Sequence, residues 1–456
     1  MPESLEGFFG LWYCNQRLDG PYRYKYSGGL GTYPQQHAPI AIHRPEVKRT
    51  YFAFGTAHTR GEKLGEHELI DAVAYFNHDT GLLHRPVQVM KRNLLDAHEN
   101  PVLCIDDLGH LLVFCPGHGS KRTSYLWRSR NPHDLDSFEL VREWPVGDNF
   151  SYPQPWWTEA HGLVFLHTRY DERKRRLAVT TSPDGTDWSA WSEPVWLSHM
   201  ASGDYQVSWI GADGTVATAF DVHPDGKDIP LNYRTNFYYA QSRDGGRTWQ
   251  TASGETLDLP LRDVHNPALV LDAEARGELV YLKDIGFDDA QRPWVMYVTS
   301  RGFMPGPEQG PYQWWLARYR DDGTWSHHPI TTSDHNYDHG SLHWLGDNDL
   351  RLVAPTDPGD EPAATGGLMC MWQSTDGGET WRKLARLLDD PKNTHTYARR
   401  PRDASPDFAW MWADGRVYEP SSSRLYFADI DGRVFRMPES FDGPTVAPEP
   451  VSEQAV

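Results

Sequence analysis

Four stretches of the chain set histidine among glycine, proline and polar residues. They are Gln35-Gln-His-Ala-Pro39, Asp96-Ala-His-Glu-Asn-Pro101, Gly117-His-Gly-Ser-Lys-Arg122 and Asp334-His-Asn-Tyr-Asp-His-Gly340. Four more carry tyrosine, three of them with arginine: Phe150-Ser-Tyr-Pro-Gln-Pro155, His167-Thr-Arg-Tyr170, Asn232-Tyr-Arg-Thr-Asn236 and His395-Thr-Tyr-Ala-Arg-Arg-Pro401. Imidazole and phenol move protons within reach of a reacting carbon or oxygen. Guanidinium pairs bidentately with a carboxylate. In and around these segments the residues to weigh are His98, His118, Tyr152 and Arg169, with His37, Tyr205, His223, Arg234, His395 and Arg399 as substrate-binding candidates. A second chemistry is metal binding. His335 and His339 lie four apart, Asp334 and Asp338 add oxygens, and Cys370 is a soft ligand downstream, a set that would suit structural zinc or calcium.

Each of these residues also has an ordinary use. His98 precedes Glu-Asn-Pro and would cap a turn; His118, between glycines, would mark a close backbone approach. Tyr152 would be a core aromatic with its hydroxyl satisfied, and Arg169, at a strand end, half of a surface ion pair. His335 and His339 would be plain core or channel histidines.

The elements that must position these groups are announced by repeats. Ser182-Pro-Asp-Gly-Thr-Asp-Trp188, Ser242-Arg-Asp-Gly-Gly-Arg-Thr-Trp249 and Ser374-Thr-Asp-Gly-Gly-Glu-Thr-Trp381 are near copies, and Asp321-Asp-Gly-Thr-Trp325 is a degenerate fourth. In this Asp-box pattern the Asp carboxylate bonds nearby backbone N–H groups, glycine supplies positive φ, and the Trp anchors the hairpin. The role is structural. The first two serines are 60 residues apart and the next interval is 132, two steps of 66. At that period 456 residues hold about seven blades, an ordinary propeller. Apolar runs at 50–55, 72–77, 102–106, 111–115, 163–167, 177–181, 235–241 and 368–373 read as strands. The expected architecture is all-β, a single seven-bladed β-propeller over 1–438 with a flexible, Pro- and Glu-rich tail at 439–456.

A net charge of −19 argues against nucleic acid and anionic membrane surfaces, and means that any acidic substrate needs a local cationic pocket. Cys14, Cys104, Cys115 and Cys370 are irregularly spaced and read as free thiols. The first ten residues lack a signal-peptide pattern and no run of about 18 apolar residues occurs. The expected location is the cytoplasm, or outside the cell if a leader has been trimmed.

From about His37 to Pro438 the chain resembles the BNR-repeat group that includes propeller polysaccharide lyases acting on ulvan-like, rhamnose–uronate polymers. The segments that carry the resemblance are AHENP at Ala97, GHG at Gly117, FSYPQPW at Phe150, RTNFYY at Arg234, HNPALV at His265, SDHNYDHGSL at Ser333, APTDPG at Ala354 and YARRP at Tyr397. The resemblance implies a seven-bladed propeller and β-elimination at a uronic acid. Its pattern of two histidines about twenty residues apart, then a tyrosine, then an arginine sixteen or seventeen further on falls on His98, His118, Tyr152 and Arg169. By that carry-over the histidines are base or polarising groups. Tyr152 is the proton donor to the leaving oxygen or also the base, and Arg169 the carboxylate partner. Related propellers hold structural zinc or calcium, and His339 stands where the group often has methionine. Two other functions share the scaffold: a glycoside hydrolase of sialidase or rhamnosidase type, for which no convincing Tyr–Glu pair is found, and a non-catalytic glycan-binding propeller.

Overall fold

The Asp-box hairpins fold as their composition dictates. In the second box the Ser242 hydroxyl accepts from the Gly246 N–H at 2.8 Å, and Asp244 accepts from the Thr248 N–H and hydroxyl. Buried Trp249 donates to the Gly246 carbonyl. The third box repeats these bonds at Ser374, Asp376 and Trp381. The first box repeats the turn at Ser182 and Asp184, but the Trp188 side chain lies outside the described residues. The second and third boxes turn the chain from the third to the fourth strand of a blade.

The computed structural model describes residues 3–57, 68–172, 174–226, 228–230 and 232–452. Seven antiparallel sheets follow one another in chain order. Their first strands are Ala41–Arg44, Val102–Ile105, Ser151–Thr158, Gln206–Ile210, Leu279–Phe287, Ser341–Gly346 and Thr394–Arg399. These strands meet around the ring axis, and each blade continues outward from them. The chain is a seven-bladed β-propeller. No α-helix occurs among the described residues, and no helix is long and apolar enough to cross a membrane. The expected strands recur, Leu368–Ser374 almost to the residue, while Gly162–Asp171 and Lys174–Ser182 extend several residues beyond the expected 163–167 and 177–181. The four cysteines are buried free thiols.

The core lies between blades. Trp156, Leu177, Phe220 and Trp249 join the third to the fourth, and Trp294, Trp314 and Leu352 the fifth to the sixth. Each such aromatic removes a large apolar surface from water, so sheet-on-sheet contact holds the ring together.

Two features depart from plain repetition. A hairpin of Gly10–Arg17 and Tyr24–Gly29, paired with Ser421–Ser423, stands apart from the blades. Its Tyr26 and the following Tyr33 pack on Tyr281 and Tyr397 from the inner strands and on Tyr337 from the loop before the sixth blade, so it covers one mouth of the channel. The C-terminal segment, expected to be loose, is instead part of the ring. Thr445–Val446 pairs with Leu82–His84 of the first blade, and Glu449–Ser452 pairs with Val434–Arg436 of the seventh. The segment is proline-rich but supplies strands to two otherwise unpaired sheet edges, and edge strands tolerate proline. Deleting residues 445–456 is expected to lower the midpoint of thermal unfolding by roughly 3 °C, read by calorimetry.

Candidate active site

Three innermost strands are interrupted where they reach the covered mouth. Register shifts occur between Ser151 and Gln154, between Leu282 and Asp284, and between Thr396 and Arg399. A bulge re-aims the side chain it displaces. The displaced residues include Tyr152, Lys283 and Tyr397, and both tyrosines hold a left-handed backbone, with φ of 52° and 56°. Such strain at non-glycine residues persists where the surroundings over-determine it.

The cavity so formed is lined by Tyr26, Tyr33, His98, Tyr152, Tyr205, Arg234, Tyr337, His339 and Tyr397, with the loop from Pro34 to Gln36. At one side stands a carboxylate–imidazole assembly. The Asp96 oxygens accept from His98 Nδ1 at 2.7 Å and from His118 Nδ1 at 2.8 Å. The two rings stack with centroids 4.1 Å apart, and Tyr152 meets both edge-on at 6.1 and 6.2 Å. An ionised carboxylate only accepts, so both imidazoles carry their hydrogen on Nδ1 and keep a lone pair on Nε2. The Tyr33 hydroxyl donates to His98 Nε2 at 3.1 Å. His118 is more open, 30 % exposed, and no described residue bonds its Nε2.

Arg122 donates to Asp96 at 2.7 Å and to Glu99 at 2.8 Å, and Glu99 in turn accepts from buried Arg92, which also pairs with Asp71. Burial works against the Asp96 charge, but the two histidines beside it hold its carboxyl far below the usual range. Burial, with the neighbouring His118, pushes His98 below the ordinary imidazole value. Burial together with the Tyr205 and Tyr170 phenols pushes Tyr152 well above its own.

Cations form the opposite wall. The Tyr205 ring lies between the guanidinium groups of Arg175, 4.4 Å from its centroid, and Arg234, 4.1 Å away. Arg234 donates to the Tyr337 hydroxyl at 2.9 Å. Beneath them, fully buried Lys25 and Lys283 donate to the side chain and carbonyl of Asn336. In a strongly acidic protein, Arg175 and Arg234 bring positive charge to this cavity, while burial pushes the Lys25 and Lys283 amines well below their ordinary pKa.

Of the residues expected from sequence, His98, His118, Tyr152, Tyr205 and Arg234 come together here. His37 sits beneath, fully buried, its ring edge-on to Tyr152 at 5.9 Å. His223 stands beside the cavity with Nδ1 bonded to the Tyr233 carbonyl.

Four expectations are corrected. Arg169 pairs with Asp148 at 2.7 Å and lines a separate groove. On its strand the neighbouring Tyr170, paired across the sheet with Arg175, faces Tyr152 and Tyr205, and alternation sends Arg169 to the other side. Arg399 is consumed by the carbonyls of Thr32, Pro34 and Gln35, holding the loop that lines the cavity. His395 is buried inside the seventh blade, where Nδ1 accepts from the Trp412 indole at 3.1 Å. The set His335, His339 and Cys370 does not gather. His335 Nδ1 accepts from the Tyr337 N–H, His339 stacks on Tyr397, and the Cys370 thiol faces the Leu368 carbonyl. Among the described residues, two other groups have metal-ligand spacing: Asp96, His98 and His118, and Asp390, His395 and Asp414. In the first, the Nδ1–oxygen separations are hydrogen bonds. In the second, the indole bond to Nδ1 leaves the proton of a neutral ring on Nε2, which then cannot ligate.

Asp96, Tyr33, Tyr170 and Arg175 are the members that sequence reasoning passed over. Asp96 adjoins the flagged histidine at the spacing of a turn-capping carboxylate, and Tyr170 ends a flagged segment. Arg175 lies in the run Asp171-Glu-Arg-Lys-Arg-Arg176, which reads as a solvated turn.

Residues 50–333 match a family profile described as BNR repeat-containing family member. An ulvan lyase of Nonlabens ulvanivorans is 22 % identical over 402 residues, covering 75 % of this chain and 80 % of that protein. A PL25 ulvan lyase of Pseudoalteromonas sp. (strain PLSV) is 21 % identical over 408 residues, covering 80 % and 79 %. The solved structure of a PL25 ulvan lyase bound to a GlcA(1-4)Rha3S oligosaccharide superposes with a TM-score of 0.69 at 15 % identity, over 94 % of this chain and 96 % of that one.

Proposed function

The chain belongs to the BNR repeat-containing family, and on that premise we propose that it is a polysaccharide lyase that cleaves a uronate-containing, ulvan-like rhamnose glycan by β-elimination. The observation that carries the reading is the Asp96 carboxylate fixing two stacked imidazoles beside a buried phenol, opposite a cationic wall. Relatives whose names state ulvan lyase activity support it.

The uronate carboxylate enters against Arg234, with Arg175 behind Tyr205 adding positive charge. Pairing with guanidinium stabilises the enolate-like charge that develops when C5 loses its proton. His118 is the base: its Nε2 lone pair is fixed by the Nδ1–H···Asp96 bond and has no protein partner among the described residues. Tyr152 is the acid. Its raised pKa keeps the phenol protonated at neutral pH, so it donates and does not abstract. The C5–H bond breaks with its proton going to His118, and its electron pair forms the C4–C5 double bond. The C4–O4 bond breaks as Tyr152 protonates O4. Return of the proton from His118 to the phenolate resets the site. His98, held by Asp96 and Tyr33, keeps the His118 ring stacked in place.

The test is product analysis on a glucuronate–rhamnose polymer. Ultraviolet absorbance from a new C4–C5 double bond is expected, and a saturated product would instead mean hydrolysis on the same scaffold. Tyr152→Phe is expected to lower kcat roughly 10²-fold with substrate affinity kept. Unchanged turnover would remove Tyr152 from the acid role. Binding without turnover in the native protein would leave a glycan-binding propeller.

A further inference from the structure

Arg169, displaced from the central cavity, helps build a second site. Phe165, His167 and Arg169 alternate on one face of the strand Gly162–Asp171 and line a groove of about 300 Å³. The opposite wall comes from the second blade, whose outer strand ends at Trp144, and from Trp191 after the first Asp box. The two indoles meet edge-on at 5.6 Å, and the Arg142 guanidinium lies 4.3 Å from the Trp144 ring and 5.3 Å from that of Trp191. His167 is 4 % exposed; its Nε2 contacts the Thr180 hydroxyl at 3.0 Å, and its buried Nδ1 has no hydrogen-bond partner.

We infer that this groove is an outer subsite for a further sugar unit of the same glycan whose uronate occupies the central cavity. The inference rests on the lyase reading and extends it from a catalytic pocket to a binding track. The chemistry is that of a pyranose: an apolar C–H face that lies on an indole, and a rim of hydroxyls that suits charged planar partners. The groove offers indoles, two guanidinium groups, and the carboxylates of Asp148 and Glu193. With both signs of charge present it reads hydroxyls, not a second carboxylate. The Arg169–Asp148 pair is no obstacle, since Asp148 is 70 % exposed and its pairing is that of a surface bridge. The two sites are neighbours along the chain. Phe150 lines the groove and Tyr152, two residues on, lines the central cavity. Between them Asn149 and Ser151 bond the carbonyls of the loop that carries His118.

The experiment is calorimetric titration of the full chain, slowed by Tyr152→Phe, with glucuronate–rhamnose oligosaccharides of the shortest cleaved length and of about ten sugars. Arg142→Gln and Arg169→Ala are expected to weaken binding of the long oligosaccharide roughly tenfold and to leave the short one within twofold. Equal weakening at both lengths would overturn the inference and return Arg169 to the central cavity; no weakening at either length would overturn it too. Thermal melting confirms that each variant is folded, and the milder Arg142→Gln decides if Arg169→Ala is not. Product absorbance from the native protein reads the lyase assignment separately, so failure of one is distinct from failure of the other.

Discussion

Replacing Asp96 with asparagine is expected to lower kcat by roughly 10³- to 10⁴-fold, with the propeller intact by melting and circular dichroism. The carboxylate presents one oxygen to each imidazole, at 2.7 and 2.8 Å. A carboxamide keeps one acceptor and turns the other position into a donor. One histidine must then give up its Nδ1 bond or adopt the other tautomer, moving the proton to the nitrogen that should be basic. Because the rings stack at 4.1 Å, displacing either disturbs the other. The titration of His98 gives a readout that mere unfolding would not. The Asp96 charge raises the basicity of His98, acting against burial and His118. Its removal should lower the His98 pKa further, read by NMR of the imidazole protons. A loss of turnover below tenfold, or a His98 titration that stays in place, would take the paired imidazoles out of the mechanism.

The ring was legible in the chain because its repeat is local. An Asp box folds within eight residues, its glycines and carboxylate leave one hairpin, and its spacing counts blades. His98, His118 and Tyr152 were legible because they stand in polar segments that no blade core needs. What failed was direction. Arg169 and Tyr170 are adjacent, and which of them faces the cavity depends on the parity of the strand Gly162–Asp171, fixed by its unbroken pairing with Lys174–Ser182. Arg399 also belongs to an interrupted inner strand, and its guanidinium finds three carbonyls before it finds the cavity. His335 and His339 look like ligands at i and i+4, but that spacing aligns side chains only on a helix, and here the chain is a loop that bonds within itself. The C-terminal segment misled by composition: its partners are the edge of the first blade, far away in sequence, and the edge of the seventh, just before it.

The same inward-facing histidines make acid the condition that should open the ring. Burial drives His167 down to about 3 and His343 down to about 4. Burial likewise drives His37, His335 and His339 well below the ordinary value, and lowers His98, His327 and His395. A histidine whose pKa is depressed by folding contributes stability above its unfolded value of about 6.5. That stability is lost as pH falls toward the folded value, because the unfolded chain takes up protons the folded one refuses. Buried carboxylates act in the opposite sense. Burial raises Asp71 and Asp221 to about 6, raises Asp204 and Asp338 well above the usual range, and raises Asp334. These bind protons in the folded state and gain stability as pH falls between about 6 and 4. Lowered histidines outnumber raised carboxylates among the described residues, so the unfolded chain takes up more protons than the folded one as pH falls below about 6. The midpoint of thermal unfolding, read by calorimetry, should therefore fall by several degrees between pH 6.5 and pH 5. His343→Gln, which keeps a donor for the Ala409 carbonyl, should make the decline shallower. A midpoint that holds steady or rises over that interval would mean that the carboxylates, not the imidazoles, govern the acid response of the ring.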